Sequence, residues 1–124
     1  MLRALLVDEN AQRANLLLLA LRAADYEVVL DAQRATDLVG RVCAVAPDVV
    51  VMDCQSPDGD TLEQISQVTS NVPRPIVLFT ENDDRSMIQA AVRAGVSAYV
   101  VGTISAERVR PILDVATARF NEFQ

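Results

Sequence analysis

Four consecutive apolar residues, Val49-Val50-Val51-Met52, run straight into Asp53. A strand with one wet face alternates apolar and polar side chains. An unbroken run of this kind needs apolar cover on both faces, as in the middle of a parallel sheet. Similar short runs recur at Ala4 to Val7, Val28 to Leu30, Ile76 to Phe79 and Ala98 to Val101. Between them lie stretches of helical length. One spans Ala11 to Ala24, with Leu16, Leu17, Leu18, Leu19 and Leu21 as a wide apolar face. A second spans Thr36 to Ala46 and stops at Pro47. A third starts at a capping Asp60, with Glu63 as its capping-box partner, and reaches about Val68. Pro73-Arg74-Pro75 stiffens the approach to the fourth apolar run. Asp83 or Asp84 caps a helix to Ala94, with Gly95 as its C-terminal stop, and Ser105 caps a last helix to the chain end. Strict alternation with short connections predicts an α/β fold: one parallel sheet, helices on both faces, right-handed crossovers. The 124 residues make one domain, 1–124, with no repeat or linker.

Composition narrows the chemistry. There is no histidine, which excludes Ser-His-Asp and Cys-His catalysis and His-ligated zinc. There is no lysine, which excludes a Walker lysine and a Schiff base. Acids outnumber bases 17 to 11, for a net charge of −6, a poor match for a nucleic-acid backbone. Cys43 and Cys54 show no pairing motif and read as thiols of a reducing cytoplasm. The apolar start, Met1 to Val7, meets Asp8 and Glu9 at once. It is too short for a signal peptide or for the ~20 apolar residues of a membrane span.

The polar residues gather where such a fold binds ligands. Asp8 and Glu9 follow the first strand, Asp53 ends the third, and Thr80 and Glu81 end the fourth. In an open parallel sheet, ligands sit beyond the carboxyl ends of the strands, where the strand order reverses. With the order 2-1-3-4-5, Asp8, Glu9 and Asp53 share one pocket. Carboxylates that close repel one another, and a hard cation with oxygen ligands, magnesium above all, relieves the repulsion. Magnesium, a carboxylate and a hydroxyl suit phosphoryl transfer, with Asp53 as a covalent acceptor. The alternative is that these acids only cap helices and hold turns.

At these residues the chain resembles the receiver domains of bacterial two-component response regulators, along its whole length. Leu5-Leu6-Val7-Asp8-Glu9 resembles the acidic pair that holds magnesium, and Val50-Val51-Met52-Asp53 resembles the strand of the phospho-accepting aspartate, with Pro57 four residues on. Thr80 resembles the hydroxyl that binds the phosphoryl group; Ala94-Gly95 and Tyr99 resemble the turn and switch aromatic of the fifth strand. The resemblance implies a flavodoxin-like (βα)5 three-layer sandwich that is a signalling module rather than an enzyme. It implies Mg2+ on Asp8, Glu9, Asp53 and the Gln55 carbonyl, and a histidine kinase or sensor protein as partner. The stretches Asp53 to Gln64, Pro73-Arg74-Pro75 and Arg93 to Val101 further resemble receivers of ANTAR-type antiterminator regulators, such as those of nitrate assimilation. That implies an antitermination output in which RNA is bound by a C-terminal domain not in this chain.

Two departures bear on the switch. Where the family has a lysine three residues after the switch aromatic, this chain has Gly102, followed by Thr103 where proline is frequent. Thr61 stands where the loop after the acceptor usually has glycine. Arg85 is the candidate replacement cation, or else a solvated residue at a helix start. Tyr99 is either a rotating switch or a fixed half-buried tyrosine, and Met52, Phe79 and Met87 are expected in the core. In the last helix Val109, Leu113, Ala116, Phe120 and Phe123 repeat at heptad spacing; packing on the sheet accounts for Val109 and Leu113, whereas Phe120 and Phe123 predict a helix that projects beyond the domain and pairs with a second copy or another helix. The rival expectation is a pseudo-receiver that is not phosphorylated and serves as a protein-binding module held by a sensor. A nucleotide-binding enzyme is disfavoured, because no Gly-x-Gly-x-x-Gly follows the first strand.

Overall fold

The computed structural model describes residues 2–8, 11–31, 37–55, 57–102 and 105–122. Its elements alternate as expected: β1 (Leu2–Asp8), α1 (Ala11–Ala23), β2 (Tyr26–Asp31), α2 (Leu38–Val45), β3 (Val49–Asp53), α3 (Gly59–Asn71), β4 (Ile76–Thr80), α4 (Arg85–Ala94), β5 (Ala98–Val101) and α5 (Ala106–Glu122). All neighbouring strands pair in parallel, in the order β2-β1-β3-β4-β5. This is the flavodoxin-like three-layer α/β fold.

The apolar runs serve both faces at once. Val49, Val51, Ala4, Leu6, Val77 and Phe79 pack toward α1 and α5 with Leu17, Leu21 and Leu113. Their chain neighbours Val50, Met52, Leu5, Val7, Ile76 and Leu78 pack on the other side with residues of α2, α3 and α4. That two-sided burial is why these strands need no polar alternation. Arg3 anchors the lower end of β1: its amide donates to Asp48 at 2.7 Å and its guanidinium to the Val45 carbonyl at 2.7 Å.

Several local expectations need correction. The cap of α3 is Asp58 rather than Asp60. Asp58 is extended, and its carboxylate accepts from the Thr61 amide at 2.8 Å and hydroxyl at 3.0 Å. Asp60 lies inside the first turn, where its charge favours the helix dipole instead. Of the two expected caps of α4, Asp84 is the one that serves, accepting from the Ser86 amide at 3.2 Å. α2 begins at Leu38 behind a capping Asp37, and Thr36 lies outside the described residues. It ends at Val45 because Ala46 takes a left-handed turn just before Pro47. Gly95 does stop α4, at φ 116°, and a Cβ there would collide with the Thr69 side chain. Leu16 and Leu19 face solvent, so the leucine run of α1 is not all core. Met87 is only half-buried, whereas Met52 and Phe79 are core.

The heptad seam of α5 divides. Val109, Leu113 and Ala116 are buried against the sheet, within the fold's own core, and so are not open to a second helix. Phe120 is half-buried, and Phe123 lies outside the described residues.

Candidate functional site

The two aspartates meet because β1 and β3 are neighbours in register, with Asp8 directly opposite Asp53. Both continue the strand positions that point toward α1 and α5, after Leu6 and Val51. Asp8 is 1% exposed and Asp53 is half-buried. Neighbouring strands lie about 5 Å apart, and two unit charges at that distance repel by about 3 kcal/mol at an effective dielectric of ~20. Asp8 and Asp53 both interact with their surroundings, while the Oδ2 atom of Asp8 is buried and accepts no hydrogen bond from the described residues. Among the described residues no third metal-ligating side chain joins the pair. Glu9, the expected third acid, lies outside the described residues.

β4 supplies the hydroxyl. Thr80 is its last residue, 3% exposed, and its Oγ1 donates to the Gln55 carbonyl at 3.0 Å while accepting from the Asn82 amide at 3.1 Å. The hydroxyl proton is thus on the carbonyl expected to face a metal. The loop above Asp53 is tied down by the Cys54 amide, which donates to the Phe79 carbonyl at 3.0 Å. Gly102, just past β5, donates its amide to the Thr80 carbonyl at 3.0 Å. It has φ 90°, and a Cβ there would meet nothing within 4 Å. Arg85 is exposed at the start of α4, which makes it the solvated residue of the two alternatives.

Tyr99 is half-buried on β5, and its hydroxyl donates to the Asn82 carbonyl at 2.7 Å. Burial pushes its phenol above the ordinary value of 10.0, helped by Asp83 and Asp84, while Thr80 acts the other way. Tyr26 in the core is raised too, chiefly by burial. The folded state therefore keeps these phenol protons at a pH where the unfolded chain has lost them. Their contribution is complete below pH 10 and is lost as pH rises past it. Absorbance titration should show both tyrosines of the chain ionising above 10 when folded, with stability falling over the same alkaline range. A folded-state midpoint at or below 10 would contradict this packing.

Beside Asp53 lies a cavity of about 280 Å³, walled by Leu16, Leu17 and Ala20 of α1, Phe79 of the sheet and Ala106 and Val109 of α5. Asp53, Thr80, Glu81 and Gly102 complete it. The α1 and α5 positions are absent from the expected site. Their only signal in sequence is the small size of Ala20 and Ala106. Asn82, the partner of Tyr99, carries no sequence signal at all. Neither cysteine is in a disulfide. No helix among the described residues is long and apolar enough to cross a membrane.

A family model, the response regulator receiver domain, matches residues 4–114. The transcriptional regulatory protein PdtaR of Mycobacterium tuberculosis is 31% identical over 97% of this chain. The chain spans 58% of that relative's length. The chemotaxis protein CheY of Listeria monocytogenes is 26% identical over 94% of this chain and 98% of its own. In fold, the chain is similar to the signal receiver domain of a modulated diguanylate cyclase from Desulfovibrio desulfuricans, with a TM-score of 0.85. That likeness covers 100% of this chain and 99% of the other at 18% identity.

Proposed function

The chain belongs to the response regulator receiver domain family, and we propose that it accepts a phosphoryl group on Asp53 from a sensor kinase. Receiver domains are in general signalling modules that work with sensor histidine kinases and bind Mg2+ at the phosphorylation site. The observation that carries the reading here is the in-register pair Asp8–Asp53 at the ligand-binding end of the sheet. An all-oxygen donor set of two adjacent carboxylates and the nearby Gln55 carbonyl fits a hard divalent cation. Asp8, Asp53, the Gln55 carbonyl and, by sequence, Glu9 would hold Mg2+. When bound, it would neutralise the carboxylates and the charge on the phosphoryl oxygens.

The chain's own groups do the rest. An ionised Asp53 oxygen attacks phosphorus, the bond from phosphorus to the donor's leaving atom breaks, and the leaving group takes that electron pair. Asp53 becomes an acyl phosphate, with no proton to remove from it. Thr80 turns its hydroxyl proton from the Gln55 carbonyl to a phosphoryl oxygen, which loosens the loop that Cys54 and Asn82 help to hold. The added charge, close to −2, then acts on Tyr99 and the loops after β4 and β5. Transcription antitermination in the cytoplasm is the proposed output, resting on the sequence resemblance. Pairing with a second copy then starts from Phe120 at the far end of α5.

Gly102 favours a second reading. The position that carries a lysine in the family has no side chain here. A receiver without that cation serves as a binding module that a sensor holds regardless of phosphorylation. Beryllofluoride with Mg2+ separates the two. Magnesium-dependent NMR shifts at Asp8, Asp53, Thr80 and Tyr99 are expected. A chain that gives no magnesium-dependent response leaves only the binding module.

A further inference from the structure

α4 is anchored differently from the two helices that share its side of the sheet. Of its side chains only Ala91, a single methyl group, is buried among the described residues. α2 buries Leu38, Val42 and Val45, and α3 buries Ile65 and Val68. Apolar stabilisation grows with the area buried, so α4 has the weaker anchor and belongs to the part of the fold that opens locally. Polar bonds hold its two ends instead, and they are unequal.

Four bonds fix the N-terminal end. The Tyr99 hydroxyl donates to the Asn82 carbonyl at 2.7 Å, and the Asn82 amide to Thr80 Oγ1 at 3.1 Å. The Asp84 amide donates to Asn82 Oδ1 at 2.9 Å and the Ser86 amide to Asp84 Oδ1 at 3.2 Å. At the C-terminal end the tie to α3 is one hydroxyl. Thr69 Oγ1 lies 2.9 Å from the carbonyl of Ala94, the last residue of α4, and 3.0 Å from the Ile65 carbonyl of its own helix. A hydroxyl carries one proton. Turning that proton from Ala94 to Ile65 leaves no donor unpaired, and the Ala94 carbonyl is at an exposed bond where water replaces it. Gly95 follows at φ 116°, and a Cβ there would collide with Thr69 Oγ1. Beyond it Val96 is buried and the Ser97 amide is tied to the Ile76 carbonyl at 2.8 Å. Movement of the helix end is therefore absorbed at Gly95, whose backbone is the freest of any residue.

We propose that α4 opens from its C-terminal end, with Gly95 as the joint and the Thr69 hydroxyl as a two-position clasp. Closed, the proton is on Ala94 and joins α3 to α4. Open, it turns back to Ile65, the last turn of α4 parts from α3, and the end at Asn82 stays in place. The clasp acts in the resting chain and does not depend on phosphoryl transfer, so it stands or falls separately from the function proposed above.

The test is amide hydrogen exchange by NMR on the whole chain, with each rate taken relative to that of the unstructured amide. Gly95 and Val96 report on the C-terminal end, since both donate to the Ala91 carbonyl, at 3.2 and 3.1 Å. Ile88 reports on the other end, donating to the Asp84 carbonyl at 3.0 Å. In the parent chain Gly95 and Val96 are expected to exchange faster than Ile88. Thr69→Val keeps the shape and removes the hydroxyl. It should speed Gly95 and Val96 by about fivefold, the worth of one net hydrogen bond, and leave Ile88 unchanged. Thr69→Ser keeps the hydroxyl and should keep the parent rates. Unchanged rates at Gly95 and Val96 in Thr69→Val, or a Thr69→Ser chain that behaves as Thr69→Val does, would overturn the proposal. If Thr69→Val does not fold, the parent chain decides: an Ile88 that exchanges as fast as Val96 overturns it.

Discussion

Asp53→Asn is expected to take up no phosphoryl group from acetyl phosphate and Mg2+, where the parent chain gains one, read by intact mass. The amide is nearly isosteric but lacks the ionised oxygen that attacks phosphorus. Asp8, the adjacent acid, is 1% exposed and offers no second acceptor. The fold should survive, because the substitution removes one of two like charges whose repulsion is about 3 kcal/mol at strand spacing. Circular dichroism and denaturant midpoints no lower than the parent's would show this. A labelled Asp53→Asn chain would place the acceptor elsewhere. A parent chain that never labels would leave the binding-module reading.

The second large effect lies in α1, where one residue type has two outcomes. Leu21 is fully buried in the α1–α5 layer, and Leu19, two residues earlier, is 56% exposed. Leu21→Ala should cost about 3–4 kcal/mol, the range for a buried leucine whose cavity cannot fully collapse. That is a large part of the roughly 5–15 kcal/mol that holds a domain folded. Leu19→Ala should change stability by no more than about 0.5 kcal/mol. Denaturant unfolding of both variants checks the pair. Equal losses would mean that Leu19 is covered by something beyond this chain's own core.

That contrast also marks how far the sequence could be read. Strand identity and direction were legible because β3 and β4 are buried on both faces, and only a covered parallel sheet tolerates such runs; the strand order came from the family resemblance. The leucine run was not, since four consecutive leucines sweep around a helix and periodicity cannot say which side the sheet takes. The α3 cap was misplaced at Asp60 instead of Asp58, and the α4 cap was left open between Asp83 and Asp84, because each is chemically able to cap. The backbone conformation decides between them, as at the extended Asp58. The placement of Asp8 beside Asp53 followed from strand order alone. The cavity did not, because it arises from what Ala20, Gly102 and Ala106 leave unfilled, and an absence of atoms has no motif. The α5 seam was legible as apolar spacing, but spacing does not distinguish a helix that packs on its own sheet from one that packs on a twin.

The strand order has a further consequence for the chain as it leaves the ribosome. β1 emerges first yet ends in the interior, and its second neighbour, β3, appears only after β2 and α2 have been made. Until then the nascent β1 has an unpaired edge, and its acidic end has no opposite number. The wall that α5 contributes at Val109 is made only after all five strands. Pulse-labelled intermediates stalled before α5 should therefore show sheet protection without a closed pocket, so that the pocket closes only after every strand has paired.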